Sequence, residues 1–276
     1  MTDSPDAEAL HPLDAALDLL ERAPGRFAGR TTPEYWNMAG PFGGVTAGLM
    51  LKAILAHPEQ RGRPVALTVN FCGAVAEGPF EITVDLVRDG KSTQHWSAIM
   101  SQEGRGIATS ATAVTGVERE TWGHHPARRP EIPAAEALPA FVPEGRNSWL
   151  HRYEMRYATP EPRPREPGEL RGGLSQFWVR DLPARPLDYP ALAAISDSFV
   201  IRILQVRGDI PPVATSTLTT YFLADPAALE RQGDKLILGV ADTRAFRHGF
   251  HDQSAELWGD DGELLAVSHQ VVWFKG

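Results

Sequence analysis

Cysteine is almost missing from this sequence. Cys72 stands alone, so no disulfide can form within the chain, which suits a reducing compartment. Positive charge is also in short supply. With 27 Lys and Arg against 35 Asp and Glu, the formal charge of −8 works against non-specific binding to nucleic acid or to an anionic membrane surface. A small anionic ligand needs only a local basic cluster. No apolar run approaches the ~20 residues of a membrane helix. The opening MTDSPDAEALHPLDAALDLL is acidic and lacks the basic start and apolar run of a secretion signal. The expectation is a cytoplasmic protein with neither a nucleic-acid nor a membrane partner. No glycine-rich phosphate or dinucleotide motif opens a helix in the required context, and no cofactor is expected. No metal site is expected either: His248 and His251 beside Asp252 come nearest to a ligand set, and their spacing reads as a solvated turn. Cys72 has no readable His or Asn partner and reads as a small buried residue.

Apolar content is ample, at 42% of 276 residues with 22% charged, enough for a large core. A short amphipathic helix is expected over Pro12–Arg22, then a strand and loop over Arg26–Trp36. After Asn37-Met38-Ala39-Gly40-Pro41-Phe42-Gly43-Gly44 comes a buried helix, Gly44–Ala56. Four strand-like runs follow, Pro64–Cys72, Phe80–Arg88, Thr93–Gln102 and Gly106–Thr115, with turns at Asp89-Gly90 and Glu103-Gly104-Arg105-Gly106. Ile82, Val84 and Leu86 alternate with Thr83, Asp85 and Val87, the pattern of an antiparallel sheet covered on one face. Residues Val117–Arg146 are rich in proline and charge and read as a linker, and Thr159–Glu169 reads as a second proline-rich loop. Beyond them strands recur at Leu150–Tyr157, Gly173–Val179, Val213–Leu223, Lys235–Asp242, Gly249–Trp258 and Leu264–Phe274, with a short helix at Pro226–Glu230.

One stretch stands out. Leu187–Leu204, LDYPALAAISDSFVIRIL, reads as a helix capped by Asp188 with Pro190 in its first turn. It is apolar almost all round, which is the signature of a helix wrapped by protein. A single carboxylate, Asp197, sits inside it. Its helical neighbours Ala193, Ala194, Val200 and Ile201 offer no cation, and a buried carboxylate without a partner is costly.

The two halves resemble each other. Ser101–Ser110 parallels Gly259–Ser268, and Ala66-Leu67-Thr68-Val69-Asn70-Phe71 parallels Thr217-Leu218-Thr219-Thr220-Tyr221-Phe222. A buried helix followed by an antiparallel sheet, written twice, is an α+β chain of double hot-dog type. The expected division is 1–116 for the first unit, 117–148 for the linker and 149–276 for the second unit. Gly43-Gly44 would match Ser196-Asp197, and Thr112 would match Gln270, so the polar residues gather in the second half: Asp197, Thr215 and Gln270.

Ser196-Asp197, Val213-Ala214-Thr215 and Ala266-Val267-Ser268-His269-Gln270 resemble the three signatures of the double hot-dog acyl-CoA thioesterase II family. Phe42-Gly43-Gly44 and Leu86-Val87-Arg88-Asp89-Gly90-Lys91-Ser92 extend the likeness from about Gly29 to the end, and the order and spacing of all five carry it. The resemblance implies an enzyme that hydrolyses acyl-CoA by direct water attack, and a homodimer. Asp197 would be the base, with Thr215 and Gln270 orienting the water. Gly43 and Gly44 would admit the substrate, and the Gly44 N–H would face the developing oxyanion. Arg88 and Lys91 could meet CoA phosphates or simply be exposed hairpin charges. The chain departs from the family at Val45 and at Thr68-Val69-Asn70, where Gln and His-rich sequence are common, which implies a different acyl pocket. A non-catalytic acyl-thioester binder is the alternative. A hot-dog hydratase would need an Asp–His pair on a loop-helix segment, which this sequence lacks.

Overall fold

Period-two burial along the strands resolves into one continuous antiparallel sheet in the computed structural model, which describes residues 10–166 and 168–276. The first half contributes α1 (Pro12–Ala16), β1 (Leu20–Ala23), β2 (Arg26–Arg30), α2 (Gly43–Leu55), β3 (Arg63–Phe71), β4 (Pro79–Asp89), β5 (Thr93–Gln102) and β6 (Gly106–Gly116). The second contributes β7 (Tyr153–Tyr157), β8 (Ser175–Asp181), α3 (Tyr189–Ile195), α4 (Arg202–Arg207), β9 (Val213–Phe222) and α5 (Pro226–Gln232). It closes with β10 (Ile237–Asp242), β11 (Phe246–Arg247), β12 (Phe250–Trp258) and β13 (Leu264–Phe274). The strand order β2-β4-β5-β6-β3 meets its mirror, β9-β13-β12-β10-β8, at the β3–β9 seam. This is the expected double hot-dog arrangement.

The seam expresses the duplication. Ala66 pairs with Tyr221, Thr68 with Thr219 and Asn70 with Thr217. Ala66 and Thr217 are equivalents in the repeated sequence, and so are Asn70 and Tyr221. Each half therefore offers the other the same edge, centred on Thr68 and Thr219, whose hydroxyls lie 3.0 Å apart.

Two helices fill the concave side. In α2, Val45, Ala47, Leu49, Met50, Leu51, Ala53 and Ile54 are all buried, as the all-round apolar sequence requires. Its neighbour α3 runs antiparallel to it, so that Gly44 meets the Ala194 carbonyl and Gly48 the Pro190 carbonyl. The α3 start is as expected: Asp188 accepts from the Ala191 N–H at 2.8 Å, with Pro190 in the first turn.

Its end is not. The expected helix over Leu187–Leu204 breaks after Ile195, and the chain resumes helix only at Arg202. The last turn tightens, with Asp197 N–H donating to Ala194 O at 3.2 Å and Ser198 N–H to Ile195 O at 2.9 Å. The Ser196 hydroxyl donates to Leu192 O at 2.9 Å. Ser-Asp-Ser supplies side chains that compete with the helical ladder, and such residues favour helix ends. Asp197 therefore sits on the exit turn of a helix rather than in the middle of one. The first expected helix is also cut short, because Gly25, at φ +69°, turns the chain so that Leu20–Ala23 pairs with β2. Cys72 is exposed, against expectation.

Residues 117–148 do more than connect. Ile132, Ala135 and Leu138 lie on Trp178, Leu238 and Trp258 on the outer face of the second sheet, and the Trp178 indole donates to Pro133 O at 3.0 Å. This cover explains why Ile237 and Leu238 are both buried although they point to opposite faces.

A methyl group at Gly44 would lie 2.3 Å from Ala194 O and 2.4 Å from the Phe42 ring, whereas at Gly48 the nearest atoms are 3.1 Å and 3.2 Å away. Gly44→Ala is expected to lower stability in urea by about 1–3 kcal/mol. Gly48→Ala should lower it less, because its nearest contact, the Pro190 carbonyl, is 0.8 Å more distant than the one at Gly44 (3.1 against 2.3 Å) and the Leu17 side chain can yield.

Candidate active site

The exit turn of α3 puts the Asp197 carboxylate between β13 and the start of α2. Its Oδ1 accepts from Gln270 Nε2 at 2.8 Å. A second tie, Ser268 Oγ to Ser196 O at 3.4 Å, seats the turn on the same strand. On the other side lies Gly43, where a Cβ would stand 2.6 Å from Asp197 Oδ2 and 3.2 Å from the Phe71 ring. No side chain fits at position 43 while the carboxylate stays in place. Here glycine is required by close approach rather than by backbone conformation.

Burial pushes the Asp197 carboxyl up to about 7, against the opposing pull of the Gln270 amide and the Gly44 N–H. The Gly44 N–H, expected to face an oxyanion, lies near enough to the carboxylate to favour its charge. Among the described residues Asp197 forms no ion pair, so only neutral donors favour its charge.

Gln270 reaches Asp197 from the inner face of β13, directly opposite Leu218 on β9 and Gln253 on β12. Thr215 arrives on that face through an irregularity. Val271 pairs with Thr217 but Val272 pairs with Thr215, so Ser216 is an extra residue in β9. This bulge returns Thr215 to the concave side opposite Val272; in an unbroken strand it would point outward. Asp197 and Gln270 are in contact, and Thr215 shares their face two pairs along.

Arg88 and Lys91 are not brought to this place. Their exposed hairpin adjoins the Thr93–Gly116 pair, at the Arg63 end of β3. Phe71, beside Gly43, is at the other end of β3, roughly 25 Å away at about 3.3 Å per strand residue.

The inner face also holds Gln253, which sequence reasoning passed over, and His251, which it read as part of a solvated turn. Gln253 and His251 are buried side chains on β12, His251 opposite Val272. The solvated-turn reading holds only for His248, which takes a positive φ of 53°. The missed signal was period two: His251, Gln253, Ala255 and Leu257 alternate and share the concave face.

Register also corrects the comparison of the halves. Leu67 and Leu218 are equivalents, and they pair with Ala113 and Gln270 respectively, so the counterpart of Gln270 is Ala113 rather than Thr112. One strand further, Trp96 pairs with Ala113 where Gln253 pairs with Gln270. The first half fills with an indole the space that the second lines with amides. Gly43-Gly44, at the start of α2, is not the counterpart of Asp197 beyond the end of α3; the two are neighbours across the helix pair.

Residues 32–116 match the model of an acyl-CoA thioesterase N-terminal domain, and residues 126–274 that of an acyl-CoA thioesterase C-terminal domain. Among solved structures, the chain is similar to a conserved hot-dog-fold protein of unknown function from Alicyclobacillus acidocaldarius. That match has 42% identity and a TM-score of 0.91, and covers 97% of this chain and 99% of the other. A putative thioesterase II from Thermobifida fusca is similar in fold at 19% identity and a TM-score of 0.82, covering 97% and 98%. An acyl-CoA thioesterase II from Mycobacterium marinum is similar in fold at 20% identity and a TM-score of 0.75, covering 95% and 98%. No match is found among curated proteins. No helix among the described residues is long and apolar enough to cross a membrane.

The raised pKa of Asp197 couples folding to pH. Asp197 holds its proton to about pH 7 when folded, against an ordinary value of 3.8. Between these values the folded state binds more protons than the unfolded one, so its stability falls as pH rises. Asp181, also pushed up to about 7 by burial, adds to the fall. Asp197→Asn should remove its share, leaving a protein more stable than wild type at neutral pH by on the order of 1–4 kcal/mol and nearly equal below pH 4. Urea midpoints measured at acid and neutral pH check this.

Proposed function

The chain belongs to the acyl-CoA thioesterase family, and from that premise we propose that it hydrolyses an acyl-CoA thioester by direct attack of a water that Asp197 deprotonates. The observation that carries this reading is the Asp197–Gln270 contact at 2.8 Å around a carboxyl pushed up to about 7. A base works best when its pKa lies near the operating pH, and burial among neutral donors achieves that where an ion pair would abolish it.

Gln270 ties down Oδ1 and leaves Oδ2 as the proton acceptor. The water lies between Asp197 and the Thr215 hydroxyl, which orients it without competing for its proton. As the water oxygen bonds to the thioester carbon, its proton passes to Asp197. Collapse of the tetrahedral intermediate breaks the carbon–sulfur bond, and the departing thiolate takes the proton back. The products are a carboxylic acid and CoA, with the enzyme unchanged.

The rival reading, an acyl-thioester binder with a structural Asp197, is separated by thiol release from a panel of acyl-CoAs. Asp197→Asn should lower kcat by ~100-fold or more. Thr215→Val should lower kcat about tenfold with little change in KM, as expected for a residue that orients the water. The wild-type rate should rise with pH and level off above about pH 7, where Asp197 is ionised. An Asp197→Asn protein as fast as wild type would sink the proposal.

A further inference from the structure

Arg202 is a fully buried cation that the mechanism does not use. Its guanidinium donates to Val200 O, to Gly173 O at 3.0 Å and to the Ser175 hydroxyl. All of these acceptors are neutral. Among the described residues no carboxylate stands within ion-pair distance of Arg202, and a buried charge is ordinarily paired.

The polar groups around it are incomplete. Gln253 Nε2, His251 Nε2 and Gln205 Oε1 are buried and have no hydrogen-bond partner. Gln205 approaches Leu174 O, between the two residues that Arg202 holds. Burial holds the His251 imidazole below its ordinary value, and the nearby Arg202 charge adds to that. Gln253 also stands directly across from Gln270, which holds Asp197. A strip of polar side chains therefore runs from the base to the buried cation inside the second half. The first half has Ala113 and Trp96 in the places of Gln270 and Gln253.

We propose that this strip binds the acyl group of a thioester whose far end carries a carboxylate, with Arg202 as its anchor. The inference rests on the thioesterase reading and names the substrate class for it. An alkyl chain alone would leave the cation with no counter-charge nearer than Asp242, which lies beyond ion-pair distance, and the Gln253 N–H unpaired. A carboxylate supplies a counter-charge to the guanidinium and an acceptor for that N–H. His251 Nδ1 faces Asp252 O at 3.0 Å, so its Nε2 is an acceptor in the neutral ring. With Gln205 Oε1 it suits a water or hydroxyl beside the carboxylate. Substrates of this class are the mono-CoA thioesters of short dicarboxylic acids.

The test compares kcat/KM for succinyl-, glutaryl- and adipyl-CoA with that for butyryl-, pentanoyl- and hexanoyl-CoA, in wild type, Arg202→Gln and Arg202→Lys. At least one carboxyacyl substrate should exceed its neutral partner by roughly tenfold or more in wild type. The ratio should collapse in Arg202→Gln and persist in part in Arg202→Lys. Because the preference is a ratio within each protein, lost folding lowers both numbers and leaves it unmoved. Neutral substrates turned over as well as their carboxylated partners would overturn the anchor and leave the thioesterase reading standing. So would a preference that survives in Arg202→Gln. Hydrolysis of neither series, with no thiol released from any member of the wider acyl-CoA panel, would overturn both.

Discussion

The site depends on one close approach. The first turn of α2 comes against the exit turn of α3, and the Asp197 carboxylate is held at their junction. Gly43 leaves room for the carboxylate and Gly44 leaves room for the Ala194 carbonyl. With any side chain at either place, the helices would have to separate or the carboxylate would have to turn away from Gln270. The break in α3 belongs to the same arrangement. A helix continued through Asp197 would carry the carboxylate along the groove, whereas the tightened turn at Ala194 and Ile195 ends it over β13. Helix end, glycine start and strand face therefore specify one another.

The duplication supplied the frame and then diverged in its interior. The seam registers are those of two copies meeting at Thr68 and Thr219, so the outer architecture is nearly symmetric. The concave faces are not. Trp96 and Ala113 in one half stand where Gln253 and Gln270 stand in the other. The Trp96 indole finds its partner in Thr115 at 3.1 Å and closes its half with a large, satisfied side chain. Among the described residues, buried polar groups without partners lie mostly in the second half, Ser198 Oγ, Gln205 Oε1, Thr220 Oγ1, His251 Nε2 and Gln253 Nε2 among them, against Tyr35 Oη and Thr109 Oγ1 in the first. Natural interiors satisfy such groups. Their concentration in one half is physical grounds for placing ligand chemistry there.

Much of this was legible in the sequence, for reasons that also mark the limit. Strands β3 to β6 and β9 to β13 announce themselves by alternation, since a one-residue slip would turn every apolar side chain to solvent. Asp197 could be found because a lone carboxylate in an apolar run is expensive, and Gln270 through its family signature. What failed depended on local geometry that sequence spacing does not encode. Ser196 bonds back to the Leu192 carbonyl, but that ends a helix only if the chain has somewhere better to go, so the end of α3 was invisible. The inward face of Thr215 depends on a single extra residue at Ser216, and a bulge shifts the facing of everything on one side of it. Matching the halves by spacing paired Gln270 with Thr112, and only strand register moved the match to Ala113. Arg88 and Lys91 share a hairpin that sequence cannot assign to an end of the sheet.

Two buried charges in one half invite the question of why they are not paired. Arg202 and Asp197 are close in sequence, yet Asp197 Oδ1 is bonded to a neutral amide while the guanidinium is tied to carbonyls and a hydroxyl. The influences on Asp197 are its burial, Gln270 and Gly44, with no contribution from Arg202. Had the two met, the carboxylate would have kept its charge down to strongly acid pH and been a poor proton acceptor near neutrality. The intervening turn, with Phe199 packed edge-on against Phe177 and fitted over Gly239, holds them apart. Keeping the acid unpaired leaves its pKa in the range a base needs. Keeping the cation unpaired leaves its charge available to a ligand. The same segment, from Asp197 to Arg202, thus carries both charged groups of the proposed site and prevents the contact that would neutralise them.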